Sequence, residues 1–275
     1  MLVGLASMFL SPTVVLTSQR SFRHRVSRAL RAGLRLSDHL GDGIVVNCHA
    51  VREHLVSDER VPPAHIHLCH NGLDGGRFHR SVHAGTPLSR RSGPVIGTVC
   101  ALRPEKNIGT LVQAFAECHR RYPTLSLIIV GDGPAKAALQ QQADRLGIRP
   151  QCVFEPTVRD VVPWLSAIDI FVLPSVCEAL SNALMEAMAC GCACIASRVG
   201  GNPELIEHGA TGLLFENRDI LDLVAQLTRL AEEPALRRQL GQSAATRMRE
   251  QFSIDAAAIR LAGIYDTLLT AGTSR

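Results

Sequence analysis

From residue 95 onward, short apolar runs alternate with longer stretches in which apolar residues recur every three or four positions. The runs at 94–100, 125–130, 152–154, 170–173 and 193–196 predict strands, and the segments 108–122, 135–147, 162–167 and 219–231 predict helices. Strands alternating with helices imply a parallel, doubly wound α/β sheet, with ligand in the crevice beyond the carboxyl ends of the strands. Ahead of it, 13–17, 44–47 and 65–69 read as three further strands of a second α/β unit. Residues 79–93, rich in Ser, Gly, Pro and Arg, read as a connection. The expected organisation is a partial Rossmann-like domain over 1–78, a linker over 79–94 and one complete Rossmann-like domain over 95–250.

One segment of this pattern carries chemistry. Glu178 and Glu186 are separated by seven residues, after the apolar run 170–173 and across the start of a helix reaching to about Cys190. Ser181 and Asn182 at the junction are natural N-cap residues. Glu178 then lies on the loop and Glu186 about one turn inside the helix, so the two bracket a set of exposed backbone amides. Such a terminus favours an anion such as a diphosphate, while a carboxylate is a good acceptor for two vicinal hydroxyls. Sugar, diphosphate and ribose in a row satisfy both demands, which points to a nucleotide sugar.

Composition narrows the class further. With 46% apolar and 20% charged residues in 275, the chain reads as an ordinary globular protein with a sizeable core. The net charge of +4 is uneven, because Arg20, Arg23, Arg25, Arg28, Arg31 and Arg35 fall together with no acid among them. With Val26, Leu30, Leu34 and Leu36 they predict a basic amphipathic helix over 20–35. Its bland reading is a solvated face, and its sharper one is contact with an anionic membrane surface. Few aromatics accompany the arginines, so nucleic acid is not an expected partner. The apolar stretch 2–10 is too short to span a bilayer and lacks the basic flank of a signal peptide, which predicts a cytoplasmic protein. Nine cysteines, an odd number without a framework spacing, suggest reduced thiols. Cys190, Cys192 and Cys194 alternate on a strand and read as small core residues, so no metal is expected.

The residues also resemble a family. Residues 97–107 (GTVCALRPEKN), 130–134 (VGDGP), 171–175 (FVLPS), 178–186 (EALSNALME) and 200–204 (GGNPE) look like successive motifs of the retaining glycosyltransferases of family four. The segment 71–78, with Asn71, Gly72, Asp74, Arg77 and Phe78, is similar to the family's entry into its linker. Phe252, Ser253 and Tyr265 resemble its closing helix, here 251–275, which returns toward the first domain. The resemblance implies the two-domain GT-B fold, with donor in the second domain and acceptor in the first. It implies transfer from a nucleoside-diphosphate sugar to a polysaccharide, lipid-linked or other cell-envelope glycan acceptor. No cofactor or metal is implied, the nucleotide sugar being a co-substrate.

By the same resemblance, Lys106 stands beside the diphosphate, where an ammonium offsets charge on the departing nucleotide. Glu178 contacts the transferred sugar and Glu186 the ribose hydroxyls. Leu180, Ser181 and Asn182 offer donors at the helix terminus, and Gly200 and Gly201 let backbone approach the donor. Three positions depart from the family. Ala101 replaces an arginine, leaving Arg103 two residues on as the nearest cation. Ala179 stands where glycine is common, and Pro156 replaces a frequent glycine near the base. The family's early glycine-rich loop has no counterpart, so a non-catalytic nucleotide-sugar-binding remnant or partner subunit is the alternative expectation.

Overall fold

The computed structural model describes residues 14–23, 26–80 and 93–272. Arg25, most of the expected linker and the apolar stretch 2–10 lie outside them. The chain divides into two compact units: residues up to Gly72 with those from Phe252 onward, and Leu73–Gln251.

The first unit carries β1 (Leu16–Gln19), α1 (Arg28–Leu40), β2 (Gly43–Val46), α2 (His49–Ser57) and β3 (Ile66–Leu68). Its three strands are parallel in the order β1-β2-β3. The basic stretch departs from expectation. The helix starts at Arg28, capped by the Ser27 hydroxyl, which accepts from the Leu30 amide at 3.3 Å. Arg23 precedes it, is 1% exposed, and forks onto Asp38 at 2.6 and 2.9 Å. Arg31 and Arg35 donate to the two carboxylate oxygens of buried Glu59 at 2.6 and 2.8 Å. Burial alone would raise the Glu59 pKa, but the two guanidinium groups outweigh it and hold the carboxyl below its ordinary value. Half of the six arginines are therefore paired with acids of the protein itself, Arg23 in the interior and Arg31 and Arg35 over a buried carboxylate. The acids that meet them come from positions beyond 35, where a count of local charge does not look.

The second unit holds β4 (Val95–Val99), α3 (Ile108–Arg121), β5 (Ser126–Val130), α4 (Lys136–Arg145), β6 (Cys152–Glu155), α5 (Val162–Ala167), β7 (Ile170–Leu173), α6 (Asn182–Ala189), β8 (Ala193–Ser197), α7 (Asn202–Leu205), β9 (Leu213–Phe215), α8 (Ile220–Glu232) and α9 (Pro234–Gln251). All six strands are parallel, in the order β6-β5-β4-β7-β8-β9. Every residue of β4, β5, β7 and β8 is buried, as a parallel sheet covered on both faces requires. One core runs from Leu111 and Phe115 on α3 through Ile96, Ile129 and Ile195 on the sheet to Leu227 and Leu240.

Two elements escape the hydrophobic pattern. β9 is three residues long, and α9 buries only Leu240, Gly241, Ala244 and Met248. That stripe is narrow and partly made of small residues. A Cβ on Gly241 would stand 2.2 Å from the Gly191 carbonyl oxygen, so close packing, not apolar bulk, seats this helix. The final helix, α10 (Ile254–Gly272), belongs to the first unit. The Cys69 thiol reaches the Ala257 carbonyl at 3.6 Å, and His70 meets Phe252 edge-on at 5.3 Å.

Candidate active site

The strand order of the second unit reverses between β4 and β7: from β4 the chain winds outward through β5 and β6, then returns to β7 on the other side. Loops that leave the carboxyl ends of two such neighbours part and open a crevice. The loop after β4 carries Arg103 and Lys106, and the loop after β7 carries Glu178.

Each loop is held from behind. Residues Pro104–Lys106 form a single 3-10 turn, closed by Asn107 in the left-handed region at φ 52°. The Glu105 carbonyl accepts from the Val176 amide at 2.9 Å, tying the two loops together. Lys106 Nζ then reaches Glu178 Oε1 at 2.5 Å, joining the two residues expected to carry catalysis in one ion pair. The pair is largely shielded from water, with the lysine side chain 21% and the glutamate 10% exposed. The Ser175 hydroxyl donates to the same oxygen at 2.7 Å. Behind it the Ser197 hydroxyl donates to the Ser175 carbonyl at 2.5 Å, and the Asn202 amide donates to the Ser197 carbonyl at 3.0 Å. Sequence reasoning missed this buried relay, although Ser175 and Asn202 both stand inside the segments that carried the resemblance.

The helix terminus forms as its residues predict. Ser181 is the N-cap of α6, and its hydroxyl accepts from the Leu184 amide at 3.4 Å. Ser181 and Leu180 are both buried, so Leu180 can serve a ligand only through its backbone, while Asn182 is exposed at the first helical position. Glu186 lies one turn in. Its carboxylate makes no hydrogen bond among the described residues, burial raises its pKa above the ordinary carboxylate value, and the charge of Arg77 pulls the other way. An acceptor partly withdrawn from water and without a donor is suited to a ligand's hydroxyls.

The two glycines, expected to let backbone approach the donor, also have a role inside the protein. Gly200 has φ 52°, and a Cβ there would stand 1.6 Å from the Glu178 carbonyl oxygen. The Gly201 amide already donates to the Ala179 carbonyl at 2.8 Å. Both brace the Glu178–Ala179 backbone, and the Gly201 amide is committed within the protein. Ala179 is not among the residues of positive φ, so alanine in place of glycine adds no backbone strain. Arg103 is exposed on the turn, its guanidinium without a hydrogen bond or ion pair among the described residues, and it is not drawn into the Lys106–Glu178 contact.

Among the described residues no group of His, Cys, Asp and Glu is arranged to hold a metal ion. Cys190, Cys192 and Cys194 are buried; desolvation pushes the Cys190 thiol up to about 12 and the other two higher, which opposes the thiolate that ligation needs.

With this geometry in place, comparison with known proteins decides the family. Residues 93–233 match the family model for glycosyl transferases group 1. The chain belongs to that family. It is 35% identical over 166 residues to N-acetyl-alpha-D-glucosaminyl L-malate synthase of Bacillus anthracis, covering 60% of this chain and 42% of that protein. It is 34% identical over 148 residues to the lipopolysaccharide core biosynthesis glycosyltransferase LpsD of Rhizobium meliloti, covering 54% and 42%. The crystal structure of Anabaena HepE in complex with UDP superimposes with a TM-score of 0.85 at 21% identity, over 96% of this chain and 75% of that one. That likeness establishes the fold, α/β of GT-B type with Rossmann-like sheets. The chain spans between 34% and 54% of the length of the curated relatives it matches. In this group 1 chain, the matched span contains Arg103, Lys106, both glutamates and both glycines.

Proposed function

We propose that the chain is a retaining glycosyltransferase that moves a sugar from a nucleoside-diphosphate sugar to a polysaccharide, glycolipid or other cell-envelope acceptor. The observation that carries this reading is the placement of Lys106, Glu178 and Glu186 around the N-terminus of α6, at the point where the strand order reverses. In this assignment the ribose hydroxyls donate to Glu186, and the diphosphate lies on the first-turn amides of α6. Lys106 and Arg103 meet the phosphate charge, and Glu178 faces the transferred sugar. An ammonium on the leaving phosphate stabilises charge that grows only as the glycosidic bond breaks, so it lowers the barrier and not just the binding energy.

The acceptor class rests on the Rhizobium relative, whose name places it in lipopolysaccharide core biosynthesis. Among the described residues no helix is long and apolar enough to cross a membrane. Peripheral contact with an anionic membrane through 20–35 rests on Arg20 and Arg28 and on Leu30 and Leu36, which are 53% and 54% exposed, because Arg23, Arg31 and Arg35 face acids.

Calorimetric titration with UDP, GDP and ADP, beside a Glu186→Ala control, tests the reading. Binding of one nucleotide, weakened by the substitution, is expected and names the base. A folded chain that binds none of the three overturns it. Product anomers from a transfer assay with the matching sugar nucleotide then test retention.

A further inference from the structure

The second unit has another concave site, at the amino ends of its strands, the end of the sheet opposite the crevice. Asp169 and Gly191 stand at the entries to β7 and β8, and Pro234 opens α9. With Arg80, Arg237 and Arg238 they line a cavity of about 320 Å³. Three guanidinium groups share it with one carboxylate, a formal charge of +2 (three minus one).

The single carboxylate is largely occupied. Asp169 Oδ2 accepts from the Val95 amide at 2.9 Å, and Oδ1 lies 3.6 Å from Arg80 Nη2. Arg237 reaches across α8, where its Nη1 donates to the Leu230 and Ala231 carbonyls near that helix's end, which fixes the guanidinium in place. Neither Arg237 nor Arg238 has a carboxylate partner among the described residues. Burial first, and the like charge of Arg238 beside it, lower the Arg237 pKa, while Asp169 opposes them. Holding like cations together in a concavity, one of them partly desolvated, costs free energy unless an anion enters. The amides at the start of α9, an 18-residue helix, add to the same field.

We propose that this cavity binds a phosphate-class dianion, either free or as the monoester of a larger molecule. Three guanidinium forks match a tetrahedral oxyanion through paired donors. The site is separate from the donor crevice and nothing in the proposed reaction uses it.

The full chain, at low ionic strength, is titrated calorimetrically with inorganic phosphate and with glycerol phosphate. Arg238→Gln and Arg80→Gln are the test variants, because Arg237 also holds helix carbonyls. Lys106→Ala identifies phosphate that enters the donor crevice instead. One equivalent is expected to bind, about tenfold more weakly in either arginine variant, as loss of one charged hydrogen bond implies. Lys106→Ala is expected to leave that affinity unchanged, and melting temperatures confirm that each variant is folded. Tighter binding of the monoester places the group on a larger molecule, and tighter binding of inorganic phosphate makes it the free ion; both uphold the site. Absence of binding, wild-type affinity in both arginine variants, or loss of binding in Lys106→Ala overturns it.

Discussion

Gly200 offers the most direct test of how the fold supports the crevice. At φ 52° an L residue occupies the left-handed region, which costs about 1–2 kcal/mol. A Cβ would also stand 1.6 Å from the Glu178 carbonyl oxygen, where ordinary contact begins at 3.4 Å. One backbone or the other must therefore move by 3.4 − 1.6 = 1.8 Å. Overpacking of this kind adds about 1–3 kcal/mol, for a total of about 2–5 kcal/mol in Gly200→Ala. Gly147→Ala is the control: its φ is 69°, but nothing lies within 4 Å of the added Cβ, so only the conformational part applies. Trp164, the single tryptophan, lies on α5 in the same unit and reports its unfolding in urea. The displaced backbone carries Glu178, and a shift near 1 Å in a catalytic group typically costs on the order of 10²-fold in rate. Glycosyl transfer by folded Gly200→Ala should fall at least that far. A Gly200→Ala chain no less stable than Gly147→Ala, with unchanged activity, would refute the role assigned to this contact.

Glu186→Gln should gain stability while losing nucleotide affinity. The folded pKa of Glu186 is raised, so its favourable contribution is complete below the unfolded carboxylate value and is lost as pH rises through the folded one. The variant should therefore melt above the parent at pH 7, with the difference closing in acid, and equal melting temperatures at pH 7 would count against it. Nucleotide affinity of the parent should likewise fall as acid protonates Glu186, a trend absent from the Gln variant in calorimetry at stepped pH. Glu178→Gln releases Lys106 from its ion pair, so UDP, GDP or ADP should bind at least as tightly while transfer is lost; Lys106→Met should instead weaken nucleotide binding by about 10–100-fold. Asp38→Asn leaves Arg23 buried without its counter-charge and should cost about 3–5 kcal/mol in urea unfolding followed by circular dichroism, whereas a loss below about 1 kcal/mol would show that water reaches the guanidinium.

What was readable in the sequence follows from the range over which each signal acts. Strands buried on both faces, such as 127–130 and 170–173, are apolar throughout and declare themselves within a few residues. The Ser181 cap and the position of Glu186 inside α6 are equally local. Contacts between distant positions are not. Lys106 and Glu178 are 72 residues apart, and their ion pair exists only because β4 and β7 are neighbours in the sheet. The pairing of Arg31 and Arg35 with Glu59 was hidden for the same reason, so the stretch looked freely basic. Gly200 and Gly201 are recognisable as special positions, but their contact with the Glu178–Ala179 backbone is visible only in the packing.

The charges at the crevice carry a consequence for the proposed reaction. Glu178 holds Lys106, and the charge of Arg77 acts on Glu186, so neither glutamate lacks a compensating cation. A diphosphate brings two or more negative charges, which in the proposed assignment meet the N-terminal field of α6 and the exposed guanidinium of Arg103. Lys106 is the cation best placed to add to them, since its flexible stem allows the ammonium to leave Glu178 for a phosphate oxygen. That move would leave Glu178 with the Ser175 hydroxyl as its remaining donor, a neutral partner, and would raise the carboxylate's demand for a further hydrogen bond. The hydroxyls of the transferred sugar can meet that demand. Diphosphate and sugar recognition are then coupled through one ion pair: a nucleotide alone must break the pair without replacing it, whereas a nucleotide sugar supplies a partner to each side. The intact donor should consequently outbind its nucleoside diphosphate in the parent chain, and that preference should disappear in Glu178→Gln, where there is no pair to break.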